Sequence, residues 1–195
     1  MKKTIYPLLL SLLAIGGIAL AAHAQAVDMD GPEWAFANKA ASGGMMEVQL
    51  GKLAAQQAQS SQVQQFGMTM VEDHGAANEE LGQIFRQKNR ELPAELLPEH
   101  RATVDKLQGV SGAEFDHQYM RAMVKDHAKD VEEFRNAARR LQDPDLSAWV
   151  DRTLPVLERH LQQARTLAGQ LGVDAEKAEE EGRRQAKKEA QEKGR

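Results

Sequence analysis

The chain is predicted to be all-α, a bundle of four long helices, on three observations. Apolar residues recur at alternating steps of three and four, with no convincing period-2 strand. Two Trp, two Tyr and five Phe are few, whereas Ala, Leu, Gln, Glu and Lys, all good helix formers, are plentiful. The periodic stretches number four, each of about 25 residues, joined short–long–short.

The first helix is expected from Pro32, a residue favoured in the first turn, to about Ser60. Its inner row reads Phe36, Ala40, Gly43, Glu47, Leu50 and Ala54. The second spans about Ser61 to Lys88, with Val63, Gly67, Met70, His74, Ala77, Leu81 and Ile84 inward. Residues 91–112, with Pro93 and Pro98, form a long connection in which "EHRATVDKLQ" makes a short helix that "GVSG" ends. The third long helix runs from about Ala113 to Leu141, along Met120, Met123 or Val124, His127, Val131, Phe134, Ala138 and Leu141. "QDPD" turns the chain. The fourth covers about Asp145 to Leu171, with Leu146, Val150, Thr153, Leu157, His160, Ala164, Leu167 and Leu171 inward; Pro155 is expected to bend it. A long middle connection is the mark of a ferritin-like four-helix bundle.

Both ends of the chain fall outside that bundle, which is assigned to residues 33–172. "MKK", the apolar run "YPLLLSLLAIGGIALAA" and the small-x-small exit read as a signal peptide over residues 1–26, cleaved after Ala24 or Ala26. Gly16 and Gly17 argue against an uncleaved anchor, so no transmembrane span is expected after processing. Residues 173–195 are nearly all charged or Ala, with almost nothing to bury, and read as a helical extension or a disordered tail. The formal charge of −4 becomes −6 once Lys2 and Lys3 are removed, which excludes a nucleic-acid binder. With no Cys, the domain holds together by packing alone.

The segment "MVEDH" at 70–74 returns as "MVKDH" at 123–127, and a third histidine follows in "LPVLERH". Helical rise places these residues. His127 and His160 each lie 16 to 17 residues from the turn near 143–144, so an antiparallel hairpin puts them level. His74 and Glu47 lie 14 to 15 and 12 to 13 residues from the turn near 59–60, a mismatch of about 3 Å at 1.5 Å per residue. Glu47, His74, His127 and His160 can thus share one layer, whichever way the third long helix runs. Three imidazoles and a carboxylate suit zinc, copper or iron. Asp73, Asp126 and Asp130 neighbour the histidines and are expected to orient their rings. Met70 and Met123, one turn before a histidine, offer a soft-metal option within an interior shared with Met45, Met46, Met68 and Met120. His100 and His117 fall outside the layer and are expected to be exposed. Glu-x-x-His occurs only once, at Glu114 and His117, whereas a di-iron centre of the usual kind needs it on two helices, which argues against such a centre.

The stretches "GGMMEVQLGKLAAQQAQSSQVQQFGMTMVEDHGAANEEL", "LPAELL", "SGAEFDHQYMRAMVKDH" and "LPVLERHLQQA" resemble the DUF4142 family over about residues 33–170. The resemblance implies an exported bacterial protein, periplasmic or secreted, with a ferritin-like bundle and no established function. Its recurrent positions match here at Glu47, Asp73, His74, Phe115, Asp116, His127, Pro155 and His160. Superfamily membership does not carry ferritin chemistry with it. Three readings follow: a metal-binding bundle; a non-catalytic envelope or stress-associated module whose buried histidines only set helix packing; and, more remotely, a hydrolytic or redox enzyme with an open metal position.

Overall fold

The structure, a computed structural model, describes residues 31–193. The signal-peptide and cleavage expectations fall on residues outside that range. The helices are α1 (Pro32–Gln57), α2 (Ser61–Gln87), α3 (Pro98–Gln108), α4 (Gly112–Ala138), α5 (Pro144–Gln170) and α6 (Ala175–Lys193). Pro opens α1, α3 and α5, where its missing N–H is one that no helical turn would bond. Asp143 caps α5, its carboxylate accepting from the Asp145 and Leu146 N–H groups. Pro155 sits exposed within α5, which continues through it.

Two hairpins, α1–α2 and α4–α5, pack together. Gly112 pairs with Ala58, so α4 starts where α1 ends. Lys88, just past α2, pairs with Asp143 and Asp145 at the start of α5. α4 is therefore antiparallel to α1 and parallel to α2, and the chain must return along the bundle between them. α3 lies in that crossover, against α1. Each hairpin turn is clamped by a carboxylate from the other hairpin. Asp116 of α4 accepts from the Gln59 and Ser60 N–H groups at 3.0 and 2.8 Å, and Glu33 of α1 accepts from Gln142 and Asp143.

The core is layered. Trp34, Phe36, Phe85, Phe134 and Trp149 pack mostly edge-on at one end, and at the other Phe66 meets Tyr119 edge-on while Phe115 stacks on Tyr119. Gly51 and Gly67 let α1 and α2 touch: a Cβ on either would collide with the other's carbonyl. The expected stripes lie inward with three corrections. Ala138 is exposed, Ala137 taking its place; Met68 is 55% exposed and no part of the interior; and α1 buries a broader face than one row, including Ala37, Ala41, Ser42, Gly44 and Met46, because α2, α3 and α4 all lie against it.

The charged C-terminal segment forms a helix, one of the two expected readings, but it docks along α4 and, against the expectation of almost nothing to bury, buries a stripe: Ala178, Gly182 and Ala186, spaced four apart. The stripe works by closeness, since a Cβ on Gly182 would strike the Lys125 carbonyl. Ion pairs Lys39–Glu189, Arg121–Glu181 and Arg165–Glu179 frame it.

Candidate metal centre

Each helix of the bundle contributes one side chain to a polar layer at mid-height: Glu47 from α1, His74 from α2, His127 from α4 and His160 from α5. The ring centroids stand 5.3–5.6 Å apart, and one nitrogen of each ring lies within 4.8 Å of the others. None of the four is more than 6% exposed. Equal spacing from the α4–α5 turn sets His127 level with His160, and near-equal spacing from the α1–α2 turn brings Glu47 to His74.

Each ring is held by one nitrogen and leaves the other unmet. His127 Nδ1 lies 3.0 Å from the Met123 carbonyl oxygen, an acceptor, so it donates. His160 Nε2 lies 2.8 Å from Asp73 Oδ2, and His74 Nδ1 lies 2.7 Å from Glu47 Oε2. The opposite nitrogens, His127 Nε2, His160 Nδ1 and His74 Nε2, are buried without a hydrogen bond among the described residues, as is Glu47 Oε1, although Glu47 Oε1 stands 3.3 Å from His127 Nε2. Native interiors satisfy nearly all their polar atoms, so four buried atoms without a hydrogen bond in one layer are an unusual concentration. Outer nitrogen bonded and inner lone pair free is the arrangement of metal-ligating histidines.

The electrostatics agree. Burial lowers His74 to about 4 against the pull of Asp126 and Asp73. Burial, with the neighbouring His74, lowers His160 to about 4 although Asp73 opposes it. Burial likewise depresses His127, against Glu47. These rings stay neutral and keep their lone pairs at neutral pH. Burial pushes the Glu47 carboxyl up to about 8, only partly offset by His127. The layer lacks a positive charge.

Of the expected supporting groups, Asp73 does orient a ring, though that of His160 across the bundle and not of its neighbour His74. Asp126 and Asp130 make no hydrogen bond to an imidazole among the described residues. They pair instead with the buried Lys129, at 3.3 and 3.6 Å. Their α-helical phase points them to a different side of α4 from His127. Met70 and Met123 are fully buried, but Met123 meets the layer through its carbonyl. His117 is exposed as expected; His100 is not. It is 3% exposed, its Nδ1 2.7 Å from Ser42 Oγ, which also accepts from Leu97 N–H. Lys129, 5% exposed, was missed as well. Its signal was present: flanked by Asp126, Asp130 and Glu133 on one helix, it had partners enough to be buried.

An all-α bundle with a buried three-imidazole, one-carboxylate layer is the class of protein defined by this fold and site. The model of the family described as a domain of unknown function, DUF4142, matches residues 19–167, and the chain belongs to that family. α6 lies beyond the matched residues. No curated protein matches the chain. Among solved structures, the fold is similar to that of a protein from Streptomyces coelicolor described as a secreted DUF305 protein, with TM-score 0.64 and 11% identity over 75% of this chain and 97% of that one.

Proposed function

We propose that this is an exported, periplasmic or secreted bundle protein that binds one transition-metal ion through His74, His127 and His160, with Glu47 supplying the anionic ligand. The observation that carries it is the set of three buried ring nitrogens left unmet while the opposite nitrogen of each ring is fixed. Nitrogens about 2.0–2.1 Å from a tetrahedral ion stand about 3.4 Å apart, so ring nitrogens that lie within 4.8 Å of one another would draw in around it. Zinc, copper and iron suit the donor set. Export is supported by the basic-apolar-small pattern of residues 1–26 and by the description of the DUF305 neighbour as secreted. No helix among the described residues is long and apolar enough to cross a membrane.

Chelator-stripped protein titrated with Zn²⁺, Cu²⁺, Cu⁺ and Fe²⁺ tests the reading. At least one ion should bind at about micromolar Kd or tighter, and binding should vanish in a His74→Ala, His127→Ala, His160→Ala variant. A folded wild type that binds none tighter than about millimolar contradicts it. The layer would then serve only to set helix register, through its links from His74 to Glu47 and from His160 to Asp73.

A further inference from the structure

The imidazole layer is buried, so anything that binds there has to enter between helices, and most of the seams are covered. α1 and α2 touch through Gly51 and Gly67, where a Cβ on either would meet the other's carbonyl. α3 lies against α1 and α4, and α6 lies along α4, reaching α1 through Lys39–Glu189 and α5 through Arg165–Glu179. Neither α3 nor α6 lies along α2, so the α2–α5 seam has no third helix over it among the described residues. Three polar links join these two helices: Arg152 to Glu80, the Trp149 Nε1–H to the Ala77 carbonyl at 3.1 Å, and His160 Nε2 to Asp73 Oδ2 at 2.8 Å.

The last of these connects the layer to solvent. His160 is 2% exposed, while the Asp73 side chain keeps 34% of its surface exposed. The other layer residues turn inward: Glu47 and His74 bond to each other, and His127 to the carbonyl of the buried Met123. α5 is also weakened just ahead of His160. Pro155, five residues before it, has no N–H, so the Asp151 carbonyl lacks the bond an ordinary residue would give it. Thr153 Oγ1 bonds back to the Trp149 carbonyl at 2.8 Å, a contact that often bends helices. Pro155 and Asp151 are both exposed, which puts the break on the solvent side of α5.

We propose that Asp73 is the first ligand an incoming cation meets, and that the layer opens at the α2–α5 seam as α5 yields between Pro155 and His160. This rests on the metal reading of the layer. His160 is the ligand suited to move. Its Nε2 holds the seam while its Nδ1 serves the layer, so breaking the bond to Asp73 frees the ring and bares a carboxylate beside the interior. With the ring back in place, Asp73 fixes it and closes the seam.

Stopped-flow mixing of chelator-stripped protein with Co²⁺, chelator-driven release and equilibrium titration test this, with circular dichroism as a fold control. Pro155→Ala restores the missing N–H, so opening has one more backbone hydrogen bond to break. Association and release should both slow about fivefold, with Kd changed less than about twofold. A proline with a merely structural role would leave both rates as they are. Asp73→Asn keeps an acceptor for His160 Nε2 but removes the charge, so association should slow about tenfold. Gly182→Leu, which loosens α6 away from this seam, should leave association unchanged. Wild-type rates in Pro155→Ala, or wild-type association in Asp73→Asn, overturn the inference and leave the imidazole site standing. Faster association in Gly182→Leu also overturns it, by placing the entrance under α6. No binding by folded wild type ends both the site and its entrance. If Asp73→Asn does not fold, the Pro155→Ala rates decide.

Discussion

His160 shows how a single residue gains its character from three neighbours. Burial and His74 disfavour its proton, Asp73 holds Nε2, and Nδ1 is left for a ligand. The shifts predict an acid-labile metal-free protein. A histidine titrating near 6.5 unfolded and about 4 folded contributes stability that is complete above pH 6.5 and lost as pH falls toward 4. Glu47 acts oppositely: raised from 4.5 to about 8, it costs stability as pH rises through that range. Between pH 6.5 and 4.5 the two strongly shifted imidazoles outnumber the one carboxyl, so the layer is most favourable near pH 6.5. In urea unfolding of chelator-treated protein, the wild-type excess of stability over His160→Gln should shrink steadily from pH 6.5 to 4. A difference that stays flat would show that His160 is not held neutral by the fold.

Among the elements, the turns and α6 carry the sharpest expectations. Asp116 is 2% exposed and satisfies two N–H groups at the α1–α2 turn, so Asp116→Ala should cost about 2–3 kcal/mol in chemical denaturation. Glu33→Ala, at the more exposed α4–α5 turn, should cost under about 1 kcal/mol. Equal costs would mean that burial does not govern these clamps. Gly182→Leu should force α6 from the Lys125 backbone, so trypsin cleaves faster at Arg183 and Arg184 while the bundle's Tm moves little. A cleavage rate like wild type would place α6's hold elsewhere. The long helices were legible because their periodicity is unbroken over seven turns, and their expected ends lie within a few residues of those in the structure. The shared height of Glu47, His74, His127 and His160 was legible because helical rise is fixed. What was not legible depends on tertiary partners. α6 buries Ala and Gly, which carry little hydropathy and signal only through their spacing. His100 is buried because the crossover drops α3 onto Ser42 of α1, and no local pattern announces that contact.

Across the whole molecule, aromatic layers at both ends bracket a polar middle, an arrangement that stabilises the ends and leaves the waist dependent on what fills it. An ion that binds only the folded chain, at about 100 times its Kd, adds about 2.7 kcal/mol, or about 5–10 °C in Tm for a domain of this size. That gain should be absent from the triple histidine variant. Anomalous diffraction at the zinc edge, from crystals grown with Zn²⁺, tests the central claim most directly. The predicted result is a peak about 2.0–2.1 Å from His74 Nε2, His127 Nε2 and His160 Nδ1 together. Three rings bonded only to water or to one another, with zinc confined to the surface, would contradict it.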